Sequence, residues 1–258
     1  MEKIKYKKKY GQNFLYDENI LTKIKKSADI TDKDLIIEIG PGSGNLTKKL
    51  KEYNCEILAI EIDQSLKEKL DQITNEKTKI IYEDFLNVNL NEILGGYSYR
   101  NLYIIANIPY YITTPIITKI IDSNIDIKAI ILMVQKEVAN RLSAKPKTKD
   151  YGYFTVYINS YYNVEKLFDV SKECFYPVPK VDSSIIKLSP AKVEITDKDK
   201  FNNLVKAGFL YKRKTLKNNL KNYNLSAIEQ VLKKHNLSLS NRAEDIPLAV
   251  FLEISKVI

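Results

Sequence analysis

Residues 35–46 read Leu35-Ile-Ile-Glu-Ile-Gly-Pro-Gly-Ser-Gly-Asn-Leu46, and this stretch decides the fold. Five residues of strand character run into a turn that carries Gly40, Gly42 and Gly44, three of only eight glycines in 258 residues. Beyond the turn, helical periodicity begins. A strand, a glycine turn and a helix in that order let backbone approach a ligand closely at the end of a parallel sheet. The pattern is E-x-G-x-G-x-G rather than G-x-G-x-x-G. Glu38 before the first glycine would repel a pyrophosphate and suits a ligand with a cationic amino-acid end.

Working outward, short apolar runs alternate with amphipathic stretches from about residue 20 to 190, as βαβ units do. Strands are predicted over Leu35–Ile39, Glu56–Ile60, Thr78–Tyr82, Tyr103–Ala106, Ala129–Val134, Phe154–Asn159 and Ser183–Leu188. Helices are predicted over Asn19–Ser27, Asn45–Lys51, Gln64–Gln72, Pro115–Asp122 and Lys136–Leu142. Several strands are apolar on both faces, the mark of a parallel sheet covered by helices. After Pro190 helical periodicity takes over, in Lys200–Tyr211, Arg213–Asn222, Ser226–His235 and Ala243–Ile254. The expectation is an α/β Rossmann-like domain over residues 1–192, with residues 1–10 as a basic N-terminal arm, then a small all-α domain over 193–258.

The ends of the next strands carry the chemistry. Glu61, in Ile60-Glu-Ile-Asp63, stands where an acid holds both hydroxyls of a ribose, with Ile62 beside it and Asp63 capping the following helix. Asp84 can accept from an adenine amino group, with Phe85 beside the ring. Successive strand ends bearing glycine, Glu61 and Asp84 describe a nucleoside site without phosphate, and so S-adenosylmethionine. The fourth strand ends in Asn107-Ile-Pro-Tyr110. The exocyclic amine of adenine is a poor nucleophile because its lone pair is delocalised into the ring. Accepting hydrogen bonds from both of its N–H groups, by the Asn107 side-chain oxygen and a backbone carbonyl near Pro109, pushes that nitrogen toward a nucleophilic geometry. Proline fixes the loop, and Tyr110 can stack on the base.

Composition narrows the field. Apolar residues make up 44% and charged residues 28% of the chain, ordinary globular usage. No apolar run approaches the ~20 residues of a membrane span, and the N-terminus lacks a secretory core. Cys55 and Cys174 make no disulfide framework, which favours a reducing, cytoplasmic setting. His235 is the one histidine, which disfavours histidine metal sites, histidine bases and serine triads; no metal is expected, and His235 reads as a helix C-terminus. Net charge is +9 and sits at the ends. Residues 1–10 hold five lysines and one glutamate, and residues 191–258 hold thirteen basic against seven acidic residues. Basic ends imply a polyanion, nucleic acid first. Lys212, Arg213, Lys214, Lys217 and Lys221 are the candidate phosphate contacts, with Leu216 and Leu220 left for packing.

Asn107-Ile-Pro-Tyr110 resembles the [D/N]-P-P-[Y/F] signature of methyltransferases that act on planar amino groups. The whole chain is similar to the KsgA family of small-subunit rRNA adenine dimethyltransferases over roughly residues 4–254. Gly11-Gln-Asn-Phe-Leu15, the Glu38 glycine window, Asn107–Pro115, Gln135–Leu142, Asp150-Tyr-Gly152, Phe175-Tyr-Pro-Val-Pro-Lys-Val-Asp-Ser183 and Arg213–Leu220 carry the likeness in order. Tyr111, Lys147 and Phe154 depart from residues frequent there. The resemblance implies that Asn13, Leu15, Gly40, Glu61, Asp84 and Asn107 line the methyl-donor site, and that Phe175 is the second aromatic sandwiching a flipped adenine. It implies dimethylation of two adjacent adenines near the 3′ end of 16S rRNA, in an immature small ribosomal subunit, by a monomer. Two alternatives remain open at this level: the related large-subunit rRNA adenine methyltransferase, and a non-catalytic RNA-binding assembly factor or a transcription factor on the same scaffold. The start at Gly11-Gln12, Thr114-Pro115, Val181-Asp-Ser183 and the expected Arg213-Lys-Thr-Leu-Lys-Asn helix favour the small-subunit enzyme; the intact Asn107–Tyr110 turn and glycine loop favour catalysis.

Overall fold

The computed structural model describes residues 12–258; the basic arm, Tyr10 and Gly11 lie outside the described residues. The described residues divide into two compact units, one of residues 12–139 and 165–190, the other of residues 140–164 and 191–258.

The first unit is built on the strands β1 (Phe14–Leu15), β2 (Leu35–Ile39), β3 (Glu56–Ile60), β4 (Thr78–Ile81), β5 (Leu102–Asn107), β6 (Ala129–Gln135), β7 (Tyr162–Val170), β8 (Phe175–Tyr176) and β9 (Ser183–Pro190). Seven of them form one sheet in the order β4-β3-β2-β5-β6-β9-β7. Its β4-β3-β2-β5-β6 portion is parallel, and β9 runs antiparallel to β6. Helices α1 (Glu18–Lys25), α2 (Asn45–Leu50), α3 (Lys67–Asp71), α4 (Leu90–Leu94), α5 (Thr113–Asp122) and α6 (Lys136–Leu142) connect the strands. Every residue of β2 is buried, which accounts for its apolar run: a strand covered on both faces has no polar side to show. Asp17 starts α1 by accepting from the Ile20 N–H at 2.9 Å, and α5 turns Ile116, Ile117, Ile120 and Ile121 inward.

The strand order reverses between β2 and β5. After β2 the chain moves outward through β3 and β4, then returns to lay β5 on the other side. This switch point opens a crevice outside the carboxyl ends of β2 and β5, where the glycine turn and Asn107 both lie. A second, two-stranded sheet pairs β1 with β8, Leu15 opposite Phe175 and Phe14 opposite Tyr176.

The second unit holds α7 (Tyr153–Asn159), α8 (Lys198–Gly208), α9 (Leu216–Asn219), α10 (Leu225–Lys234) and α11 (Leu248–Val257). Phe201, Leu204, Leu216, Leu220, Ile228, Leu232, Phe251 and Ile254 form its core, all fully buried. Asp197 and Asn224 cap α8 and α10, accepting from Lys200 N–H and Ala227 N–H. His235 ends α10 and its Nε2 lies 3.0 Å from Glu253 Oε1.

Three expectations need correction. The stretch Phe154–Asn159 is helix, not strand: its β-branched and aromatic residues favour a strand by propensity, but the Thr155 hydroxyl accepts from the Gly152 N–H and donates to the Arg141 carbonyl, fixing a helix start. The helix expected over Arg213–Asn222 shrinks to Leu216–Asn219, with Lys212–Lys214 in the turn before it. The helix expected over Ala243–Ile254 is interrupted at Ile246-Pro247, leaving one turn at Ala243–Asp245 before α11. By contacts, the second unit takes in residues 140–164. Strands β1, β7 and β8 and helix α4 carry no clear sequence signal.

Candidate active site

The crevice at the switch point holds an open cleft of about 750 Å³ counting its mouth. Its wall comes from four segments: residues 12–15, the glycine turn with the start of α2, the end of β3, and the turn after β5. Of the residues singled out from sequence, Asn13, Leu15, Gly40, Gly42, Glu61, Ile62, Asn107, Pro109 and Tyr110 line it together.

The glycine turn is shaped for close approach. Gly40, Gly42 and Gly44 all have positive φ, the region L side chains avoid. A Cβ on Gly42 would meet the Phe14 ring at 3.0 Å, and one on Gly44 would meet the Ile73 Cδ1 at 2.6 Å. The turn therefore demands glycine both for conformation and for space.

Glu61 is buried at the end of β3. Its Oε2 accepts from the Gly42 N–H at 2.9 Å and its Oε1 from the Asp63 N–H at 2.8 Å. Burial raises its pKa, opposed by those backbone bonds. A carboxylate has about four lone-pair directions, so capacity remains for hydroxyls in the cavity. Asp63 caps the next turn, accepting from the Ser65 N–H at 3.1 Å, and also accepts from Gln12 Nε2 at 3.0 Å.

Glu38 is not among the residues that line the cavity. It is 1% exposed, and among the described residues neither carboxyl oxygen has a hydrogen-bond partner; the neighbouring Thr47 hydroxyl is likewise unsatisfied. Burial pushes its pKa up to about 8, Thr47 acting the other way without forming a proper bond and Glu61 reinforcing the rise. Burial thus favours the neutral carboxylic acid form of Glu38.

The turn after β5 sets Asn107 and Tyr110. Asn107 Nδ2 donates to the Asn13 carbonyl at 3.4 Å, which leaves Oδ1 as the acceptor on the amide. Pro109 has φ −57° and ψ 135°, and its carbonyl accepts from the Ile112 N–H at 3.2 Å. The Tyr110 hydroxyl lies 2.7 Å from Ser183 Oγ, which fixes the ring at the cavity wall; burial raises its pKa, so it stays a neutral phenol.

Other sequence candidates stand elsewhere. Asp84 and Phe85 do not line the cavity: Asp84 Oδ1 accepts from the Leu86 N–H at 2.9 Å within its own turn, and Phe85 is buried. Phe175 is not among the lining residues: it is 1% exposed and packs in the core with Leu15 and Val170, because strand alternation in β8 turns it inward and its neighbour Tyr176 outward. Lys212, Arg213, Lys214, Lys217 and Lys221 are all exposed in the second unit, and none makes an ion pair among the described residues. Cys55 and Cys174 are free thiols. Sequence reasoning missed Gln12, Phe14, Pro41, Ser43, Asn45, Leu46 and Ile108 as lining residues. Their signal was adjacency to the recognised motifs, and Asn45 shows its purpose by donating from Nδ2 to the Leu15 carbonyl at 2.8 Å.

Comparison with known proteins agrees with this geometry. The family model for ribosomal RNA adenine dimethylase matches residues 3–258. "Ribosomal RNA small subunit methyltransferase A" of Onion yellows phytoplasma is 43% identical over 255 residues, covering 96% of this chain and 94% of its own. The protein of that name from Clostridium acetobutylicum is 38% identical over 261 residues, covering 97% and 93%. Among solved structures, a dimethyladenosine transferase from Plasmodium falciparum superposes with a TM-score of 0.78 at 28% identity, over 93% of this chain and 95% of its own. The 23S rRNA methyltransferase ErmE shares the fold, with a TM-score of 0.73 at 24% identity, over 95% and 98%. The chain belongs to the ribosomal RNA adenine dimethylase family.

Proposed function

We propose that this chain transfers methyl groups from S-adenosylmethionine to the 6-amino nitrogen of two adjacent adenines near the 3′ end of 16S rRNA, giving dimethyladenosines in the maturing small subunit. One observation carries the reading: the Asn107–Tyr110 turn and the glycine turn share one cavity wall, with the Asn107 carbonyl 3.7 Å from where a Gly40 Cβ would stand. An amine activator thus sits against a nucleoside cradle.

The residues fit the donor. Positive-φ glycines leave room for it, and Glu61 retains lone pairs for ribose hydroxyls. Glu38, two residues before Gly40, is the proposed carboxylate for the donor's cationic amino-acid end, and Asp84 the proposed acceptor for the donor's adenine amine. S-adenosylmethionine supplies an electrophilic methyl group on its sulfonium. The chain does the rest. Asn107 Oδ1 accepts one N–H of the target amine, and a backbone carbonyl beside Pro109 accepts the other, Ile108 being the one not engaged by Ile112. Withdrawing both hydrogens from the ring plane returns the lone pair to nitrogen. Tyr110, locked by Ser183, stacks on the base. No general base is required, since the methylated nitrogen is acidic and loses its proton to water.

The exposed Lys212, Arg213, Lys214, Lys217 and Lys221 take rRNA phosphates, and the work is cytoplasmic, where ribosomes assemble. No helix among the described residues is long and apolar enough to cross a membrane.

The test is mass mapping of small- and large-subunit rRNA after incubation with labelled donor, for the wild type and Asn107→Ala. Dimethyladenosine in small-subunit rRNA is expected, with the Asn107→Ala rate down by at least about 10²-fold. Modification confined to large-subunit rRNA, or an Asn107→Ala rate within threefold of wild type, would refute the proposal.

A further inference from the structure

Nine large apolar residues are exposed among the described residues. Three of them, Tyr16, Ile62 and Tyr111, lie in or directly beside segments that line the cavity, and Tyr176, Val178 and Val181 follow on the stretch from β8, which pairs with the lining residues of β1. Tyr111 is the most exposed of the nine at 64% and directly follows Tyr110. Tyr176, at 54%, stands opposite Phe14, which lines the cavity. The two tyrosines lie on different segments joined by one bond: the stretch from β8 ends at Ser183, whose hydroxyl meets that of Tyr110. Exposed aromatic surface beside the cavity, carried by Tyr111 next to a lining residue and by Tyr176 opposite another, marks a contact face.

We propose that Tyr111 and Tyr176 stack on the bases that flank the target adenine. This rests on the functional reading above. An adenine drawn out of its stack leaves a neighbour with an uncovered face, and an aromatic ring at the cavity mouth replaces the missing stacking. Tyrosine suits the position because its ring is rigid, with two side-chain torsions to restrain. The role needs the ring and not the hydroxyl, and it distinguishes these residues from Tyr110, which contacts the target base itself.

The test uses the full chain and unmethylated small-subunit particles reconstituted with rRNA whose nucleotide beside the target adenine is either intact or an abasic ribose. Tyr111→Ala and Tyr176→Ala should each raise KM for intact particles, by about 5- to 150-fold if a full ring-on-base interaction is removed. The turnover number should change less than threefold, and Tyr111→Phe and Tyr176→Phe should restore wild-type values. Melting temperatures should stay at the wild-type value for the Tyr111 variants, whose side chain is exposed. For at least one of the two tyrosines, the alanine variant should lose its KM effect on the abasic particles. Equal KM increases on intact and abasic substrates for both would overturn the stacking role in favour of a general packing role, as would KM values within twofold of wild type. Wild-type enzyme that methylates no adenine in intact particles would overturn the functional reading, and this inference with it.

Discussion

Glu38→Gln should make the protein markedly more stable at alkaline pH than at acid pH, relative to the wild type. Glu38 is fully buried with no partner for either carboxyl oxygen among the described residues, and its pKa rises from 4.5 to about 8 on folding. A carboxyl whose pKa is raised in the native state binds its proton more tightly there than when unfolded. Below the unfolded pKa both states are protonated and the group is neutral to stability. As pH rises from about 4.5 toward 8, the unfolded state gains the freedom to ionise and native stability falls; above 8 the loss is complete. A tenfold difference in proton affinity between the two states corresponds to ~1.4 kcal/mol, so between pH 5 and 8 the wild type should lose roughly 3–4 kcal/mol that a glutamine, which does not titrate, retains. Glutamine differs from the protonated acid in size and donors, and that offset is common to both pH values. Thermal melts of the two proteins without ligand, at several pH values from 5 to 8, read the difference. The gap in Tm should widen by roughly 10 °C across that window. A gap that stays constant with pH would show that Glu38 ionises normally and that an unseen donor satisfies it.

Three further outcomes are expected. Glu61→Ala should weaken S-adenosylmethionine binding by ~1–3 kcal/mol; unchanged affinity in calorimetry would transfer the ribose contact to another group. Gly42→Ala should cost about 1–2 kcal/mol in left-handed strain alone and push the Phe14 ring, 3.0 Å from the new methyl, so that melts and donor titrations both shift; a variant with wild-type donor affinity would mean that Phe14 yields freely. Neutralising Lys212, Arg213, Lys214 and Lys217 together should weaken rRNA binding and lower its log–log salt slope by roughly 0.7–0.9 for each phosphate no longer neutralised. Filter binding at several salt concentrations decides that case, an unaltered slope counting against phosphate docking, while donor affinity should hold.

The sheet's left half was legible because its physics is local. A strand buried on both faces is apolar throughout, and β2, β3, β5 and β6 announce themselves by that run. The glycine turn was legible because the density of glycine there has no other use. What escaped depended on partners distant in sequence. β1 and β8 are two residues each, too short for any periodicity, and exist only by pairing with one another. α7 carries a strand-like composition that its cap overrides. The inward turn of Phe175 follows from the register of that short pair, which no reading of Phe175-Tyr-Pro-Val-Pro alone supplies. Most of the cavity wall could be named from motifs; the placement of Asp84 and Phe85 could not, because a turn of a few residues swings a side chain through any angle.

The pairing of β1 with β8 also sets a timetable for the ribosome that makes this chain. Residues 12–15 form part of the cavity wall, leave the exit tunnel long before residues 175 and 176, and reach their final place only beside them. Asn107, whose amide grips the Asn13 carbonyl, arrives midway. A nascent chain therefore carries its glycine turn and its amine activator well before it has a closed pocket around them. A message truncated before β8 would yield a fragment with these two motifs intact and one wall of the pocket missing.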